Sequence, residues 1–93
     1  MAEESIVYVG KKPTMNYVLA IVTQFNSNVD KITIKARGKS ISKAVDIAEI
    51  TKNRFMPNAK YANIKIETEK VEGERGESNV SSIEITMKKD SSS

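Results

Sequence analysis

Residues 35–43 read KARGKSISK, and the fold turns on how this stretch is divided. Up to Arg37 the residues alternate in character. From Ile41 the apolar positions recur at three- and four-residue steps, so a strand gives way to a helix around Gly38. Lys35, Arg37, Lys39 and Lys43 place four cations about this junction, with Ser40 and Ser42 as small hydroxyl donors. A helix N-terminus already favours anions, because its first N–H groups lack intrahelical partners and its dipole is positive there. Two readings fit the stretch taken alone: a phosphate site, or a solvated turn that happens to be basic.

Upstream, residues 29–36 alternate. Ile32, Ile34 and Ala36 point one way, and Lys31, Thr33, Lys35 and Arg37 the other, which predicts a half-buried strand with a cationic outer column. From residue 14 to about 27, Met15, Val18, Leu19, Val22 and Phe25 form one face of an amphipathic helix, with Met15 and Phe25 expected in the core. Pro13 suits its first turn. Residues 5–9 (SIVYV) are apolar at both parities, which predicts a strand covered on both faces.

Downstream, residues 40–55 form a second helix that stops before Pro57, with the stripe Ile41, Ala44, Val45, Ala48 and Phe55. Ile47 and Ile50 fall off that stripe and, with Phe55, predict a subunit interface. Residues 60–71 alternate again with Ile64 and Ile66 inward, and residues 72–79 (EGERGESN) read as a turn or hairpin tip. Residues 80–89 return with Ile83, Ile85 and Met87 on one side, and residues 90–93 form a tail expected to be disordered. The order β-α-β-α-β-β, with right-handed crossovers, gives a two-layer α+β sandwich: both helices on one face of a mixed four-stranded sheet. Residues 1–89 then make a single domain, which suits a chain of 93 residues.

The chemistry is restricted. Without cysteine there are no disulfides or thiolate metal sites, and without histidine the commonest general base is missing. Glu72, Glu74 and Glu77 lie in the hairpin tip, where mobility spoils acid–base geometry; Asp46 and Glu49 read as helix-surface charges pairing with Lys43 or Lys52. No enzyme activity, cofactor or metal is expected. No apolar run reaches membrane-spanning length, and the first residues (MAEES) lack a basic region and an apolar signal core, so a cytoplasmic protein without membrane association is expected.

The net charge of +3 is unevenly spread. Residues 10–39 hold six cations against one acid, and residues 61–93 hold five against seven. Such polarity points to a polyanionic partner at one end of the molecule. Two basic strand-to-helix turns, Gly10-Lys11-Lys12-Pro13 and Arg37-Gly38-Lys39-Ser40, emerge at the same end if their strands run parallel. They supply spaced cations and small donors for a nucleic-acid backbone, from Lys11, Lys12, Arg37, Lys39 and Lys43. That favours the phosphate reading over the solvated turn.

GKKPTMNYVLA, followed by ITIKARGKSISKAVDIAEITKNRFMP, closely resembles the Alba family of archaeal chromatin proteins, and VSSIEITMKK resembles the family's last strand. The resemblance implies a fold like the C-terminal domain of translation initiation factor three. It also implies a chromosome-associated homodimer that coats and compacts double-stranded DNA with little sequence preference and also binds RNA. Lys11 and Lys12 match the family's paired DNA-contacting lysines, one of them an acetylation target in some members. Arg37 and Lys39 match further contacts, and Phe55 an aromatic used when dimers pack side by side on DNA. With Asn16, Lys43 and the hairpin's Arg75, these make up the expected nucleic-acid-binding set. The family's hairpin arms are usually basic, whereas here Arg75 stands among Glu72, Glu74 and Glu77, so weaker DNA affinity is expected. Two further readings stand beside this one: an RNA-binding protein of the ribonuclease P type, and an assembly module that binds no nucleic acid.

Overall fold

The computed structural model describes residues 3–89, so the expected disorder of residues 90–93 lies outside the described residues. Strand β1 (Glu3–Tyr8) leads to helix α1 (Thr14–Phe25), then strand β2 (Val29–Arg37) and helix α2 (Ile41–Ile50). Strands β3 (Lys60–Gly73) and β4 (Gly76–Lys88) complete the chain. The sheet order is β1-β2-β4-β3, with β1 parallel to β2 and the other neighbours antiparallel. Both helices pack on one face, across β2 and β4. This is the two-layer α+β sandwich that the residue pattern predicts.

Ile32, Ile34 and Ala36 of β2 and Ile83, Ile85 and Met87 of β4 face the helices, which return Val18, Ile21, Phe25, Ala44, Ile47 and Ala48. The helices keep the predicted spacing but not the predicted rotation. On α1 the buried side chains are Tyr17, Val18, Ile21 and Phe25, while Met15 and Leu19 are exposed. On α2 Ile47 is 0% exposed and Val45 42%, the reverse of the expected stripe. Apolar residues cover well over half of α2's circumference, so periodicity alone leaves its rotational phase open. Ile47 is therefore a core residue of this chain and forms no surface patch. Ile50 packs partly against the core, and Phe55 stays exposed.

β1 is an edge strand rather than one covered on both faces. Val7 and Val9 join the core, and Ile6 and Tyr8 stand on the helix-free face. β3 is the other edge. Ile64 and Ile66 are in register with Ile85 and Ile83, on the helix side of the sheet, yet remain 56% and 76% exposed. They face inward as predicted but are only partly covered there, because the helices lie mainly over β2 and β4.

The second helix ends in a widened turn over Thr51–Phe55, where the Met56 N–H donates to the Thr51 carbonyl at 2.8 Å. Pro57 disfavours helical backbone at Met56, which is non-helical at φ −133° and ψ 66°. Residues 72–79 are ladder more than loop: β3 and β4 pair as far as Gly73 with Gly76, leaving Glu74 and Arg75 as the turn. At the far end, Lys89 Nζ donates to the Phe25 carbonyl at 2.8 Å, satisfying a free carbonyl at the C-terminus of α1. No helix among the described residues is long and apolar enough to cross a membrane.

Candidate nucleic-acid interface

Strand direction assembles the site. Because β1 and β2 are parallel, with Tyr8 beside Lys35, both strands leave the sheet at one end. There the chain passes through Lys11 and Lys12 into α1, and through Gly38–Ser40, a single 3₁₀ turn, into α2. Gly38 has φ +59°, a left-handed conformation that L side chains rarely adopt, and it reverses the chain between strand and helix. A Cβ there would meet Val80 at 3.7 Å, an ordinary contact, so conformation rather than crowding calls for glycine.

The cations divide into two groups. Lys31 pairs with Glu4 at 3.2 Å and Lys35 with Glu84 at 3.8 Å, so the lower part of the cationic column on β2 is locally neutralised. Lys11, Lys12, Arg37 and Lys39 are exposed and, among the described residues, make no ion pair. These four gather at the end where β1 and β2 terminate. Asn16 is exposed on the first turn of α1, its N–H donating to the Pro13 carbonyl at 3.0 Å.

The hairpin leaves from the same end. The last β2–β4 pair is Arg37 with Ser82, and six further β3–β4 pairs continue beyond it. At roughly 3.3 Å per residue the arm projects about 20 Å, which accounts for the elongation of the molecule to 51 × 24 × 19 Å. Arg75 sits at its turn, and Glu72 lies directly opposite Glu77. Arg75 is thus carried away from the other cations, on an arm whose own carboxylates face each other.

Lys43 reaches the same end with a different task. Its Nζ donates to the carbonyls of Gly10 and Lys12, each at 3.0 Å, so the ammonium is committed to the loop that carries Lys11 and Lys12. From the other side, the Tyr17 hydroxyl accepts from the N–H groups of Gly10 at 2.8 Å and Lys12 at 3.3 Å. The lysine loop is held from both flanks. Tyr17 was outside the expected set, although an aromatic with a polar tip on a core helix four residues after Pro13 is a signal for such a bond. Tyr17→Phe keeps the ring and the charge but removes both bonds. It is expected to lower stability by about 1–2 kcal/mol and to weaken duplex binding several-fold. Thermal unfolding and a binding titration check the two effects, and unchanged binding would separate the loop's geometry from the site.

Asp46 and Glu49 do not pair with Lys43 or Lys52 as expected. Glu49 accepts from the Tyr61 hydroxyl, and Lys52 Nζ donates to the Pro57 carbonyl at 3.3 Å. Burial, then the bond to Glu49 and its charge, push the Tyr61 phenol well above its ordinary range. No group of three or more metal-ligating side chains converges among the described residues. Phe55, at the end of the widened turn, lies away from the basic end.

A two-layer α+β sandwich with an exposed cationic end and a projecting hairpin defines the class. The Alba family profile matches residues 5–68, and the chain belongs to that family. It is 72% identical over 87 residues to the DNA/RNA-binding protein Alba of Thermoplasma acidophilum, covering 94% of this chain and 98% of that one. The protein of the same name from Picrophilus torridus is 69% identical over 88 residues, again covering 94% and 98%. Among solved structures, Alba from Thermoplasma volcanium superposes with a TM-score of 0.87 at 69% identity, covering 90% of this chain and 99% of that one. ALBA1 from Trypanosoma brucei, at 23% identity and a TM-score of 0.76, shares the fold.

Proposed function

We propose that this chain is a homodimeric chromatin protein that coats and compacts duplex DNA through phosphate contacts, with little sequence preference. One observation carries the reading: Lys11, Lys12, Arg37 and Lys39 stand exposed and, among the described residues, without ion pairs at the end from which the hairpin projects. Cations of this kind fix a protein on the backbone without reading bases. The name DNA/RNA-binding protein, carried by the relatives, supports nucleic acid as the polyanion.

The dimer follows from what a single chain leaves uncovered. Ile41 and Ile66 line one shallow cavity between α2 and β3. Val45 lies one helical turn beyond Ile41, toward Glu49 and its bond to Tyr61 of β3, so it borders the same strip. With Ile64, these residues form an apolar band along an edge strand whose outer backbone groups are unpaired. A second copy related by a two-fold axis covers the band with the same residues. This interface takes Val45, Ile64 and Ile66 in place of Ile47. Phe55 remains available for side-by-side packing of dimers on DNA.

The test is a salt titration of binding to unrelated duplexes, run in competition with a structured RNA at equal salt. Affinity is expected to fall steeply with salt, with one slope for all duplexes. Sequence-restricted or salt-insensitive binding would overturn the duplex reading. Preference for the structured RNA would replace it with a ribonuclease P-type role, since phosphate contacts serve either polymer.

A further inference from the structure

The helix-free face of the sheet carries a feature that the basic end does not use. Tyr8 is 70% exposed there, the most exposed aromatic of the core elements, and Ile6 beside it is 51% exposed. Both stand on β1, with Tyr8 in register with Lys35. Between β1 and the inner part of the hairpin lies a concavity of about 660 Å³, lined among others by Tyr8, Lys35, Arg37, Ser82, Glu84 and Glu67. That volume falls in the range of small-ligand clefts.

The lining sorts the chemistry of an occupant. Glu84 and Glu67 are acceptors only when ionised, so they repel a phosphate but accept from the exocyclic amine of a base. Tyr8 offers a flat, exposed ring for stacking, and Arg37, at the mouth beside the basic end, offers a backbone contact. Lys35 is held by Glu84 and stays on the floor. The groove therefore suits a base at its centre and a phosphate at its upper rim. Bases within a duplex are stacked and cannot present a face to Tyr8. An unpaired nucleotide can.

We infer that this open-face groove binds an unpaired nucleotide of a single strand, with its base stacked on Tyr8 and its phosphate against Arg37. Stacking on sheet aromatics is how several single-strand binders tolerate varied sequence. The inference rests on the proposed reading for the class of ligand and shares Arg37 with the duplex surface, whereas Tyr8 belongs to the groove alone.

The experiment measures affinity of the full chain, as wild type, Tyr8→Ser and Tyr8→Phe, for short oligoadenylate, oligodeoxyadenylate and a duplex. Tyr8 is largely exposed, so neither substitution opens the core, and thermal unfolding checks that the variants are folded. Tyr8→Ser is expected to weaken both single strands by about tenfold and to leave the duplex unchanged, while Tyr8→Phe retains wild-type affinity throughout. A stronger effect on the RNA strand assigns the groove to RNA, and an equal effect to unpaired strands of either kind. Equal single-strand affinity in wild type and Tyr8→Ser overturns the inference, as does an equal loss on the duplex. Wild-type binding to duplex but to neither single strand sinks the inference alone; binding to neither form sinks the proposed function with it.

Discussion

Replacing Lys11 and Lys12 together with alanine should weaken duplex binding on the order of thirtyfold near 0.15 M salt for each protomer seated on the duplex, with the fold intact. Each phosphate contact contributes about 0.9 to the slope of log affinity against log salt. Physiological salt lies about 0.8 decades below the 1 M reference, so one lost contact costs about fivefold and two about thirtyfold. The slope should fall by about two for each protomer seated on the duplex. Both side chains are exposed and, among the described residues, unpaired, so their removal leaves no buried partner stranded. A salt titration of wild type and double variant reads both quantities. The loss should be the same for unrelated duplexes, because these contacts carry no base information. An unchanged slope would remove the lysine loop from the site.

The second large effect is expected at the edge strand. Ile64→Asp combined with Ile66→Asp should convert the proposed dimer to monomer at micromolar concentration. Full burial of an isoleucine contributes about 1.5–3 kcal/mol, and Ile64 and Ile66 have only their exposed 56% and 76% left to bury, so the pair forfeits about 2–4 kcal/mol from one side of the interface. In a two-fold interface each substitution occurs twice, and the new carboxylates would have to be desolvated against each other. Association should weaken a hundredfold or more, at about 1.4 kcal/mol per decade. Since both side chains are already largely exposed in a single chain, the monomer's own core is untouched. Sedimentation equilibrium gives the oligomeric state and thermal unfolding the integrity of the fold. A variant that remains dimeric would place the interface elsewhere, with Phe55, the exposed Met15 and Leu19 of α1, and Ile6 and Tyr8 of β1 as the remaining large apolar side chains exposed among the described residues.

The basic end shows where sequence reasoning reached its limit. That Lys11, Lys12, Arg37 and Lys39 lie at one end could be read from two turns and the direction of two strands, because parallel strands leave a sheet at the same end. The role of Lys43 could not. Its spacing from Lys39 is that of a neighbouring helix-surface cation, yet its ammonium lies between two carbonyls of a loop more than thirty positions away in the chain. Tyr17 is the complementary case, a residue on the buried side of α1 whose hydroxyl reaches out to the same loop. Both bonds join segments that meet only once the helices are docked.

What the sequence determined by itself was the alternation of strand and helix, the fold class that this order allows, and the end of the molecule that bears unopposed positive charge. Those are local properties: period, breaker residues such as Gly38 and Pro57, and charge along the strands. Tertiary structure decided the rotation of each helix, burying Ile47 and exposing Val45, and the place of each strand in the sheet, leaving Ile64, Ile66 and Tyr8 uncovered. It also decided which cations meet carboxylates, so the cationic column on β2 resolves into a paired Lys31 and Lys35 and an Arg37 that is, among the described residues, unpaired. Periodicity fixes the spacing of an apolar stripe, but a helix with apolar residues around most of its circumference takes its phase from whatever packs against it. At KARGKSISK the sequence supplied the cations, and only the packed fold separated the residues that face outward from the one that holds the loop.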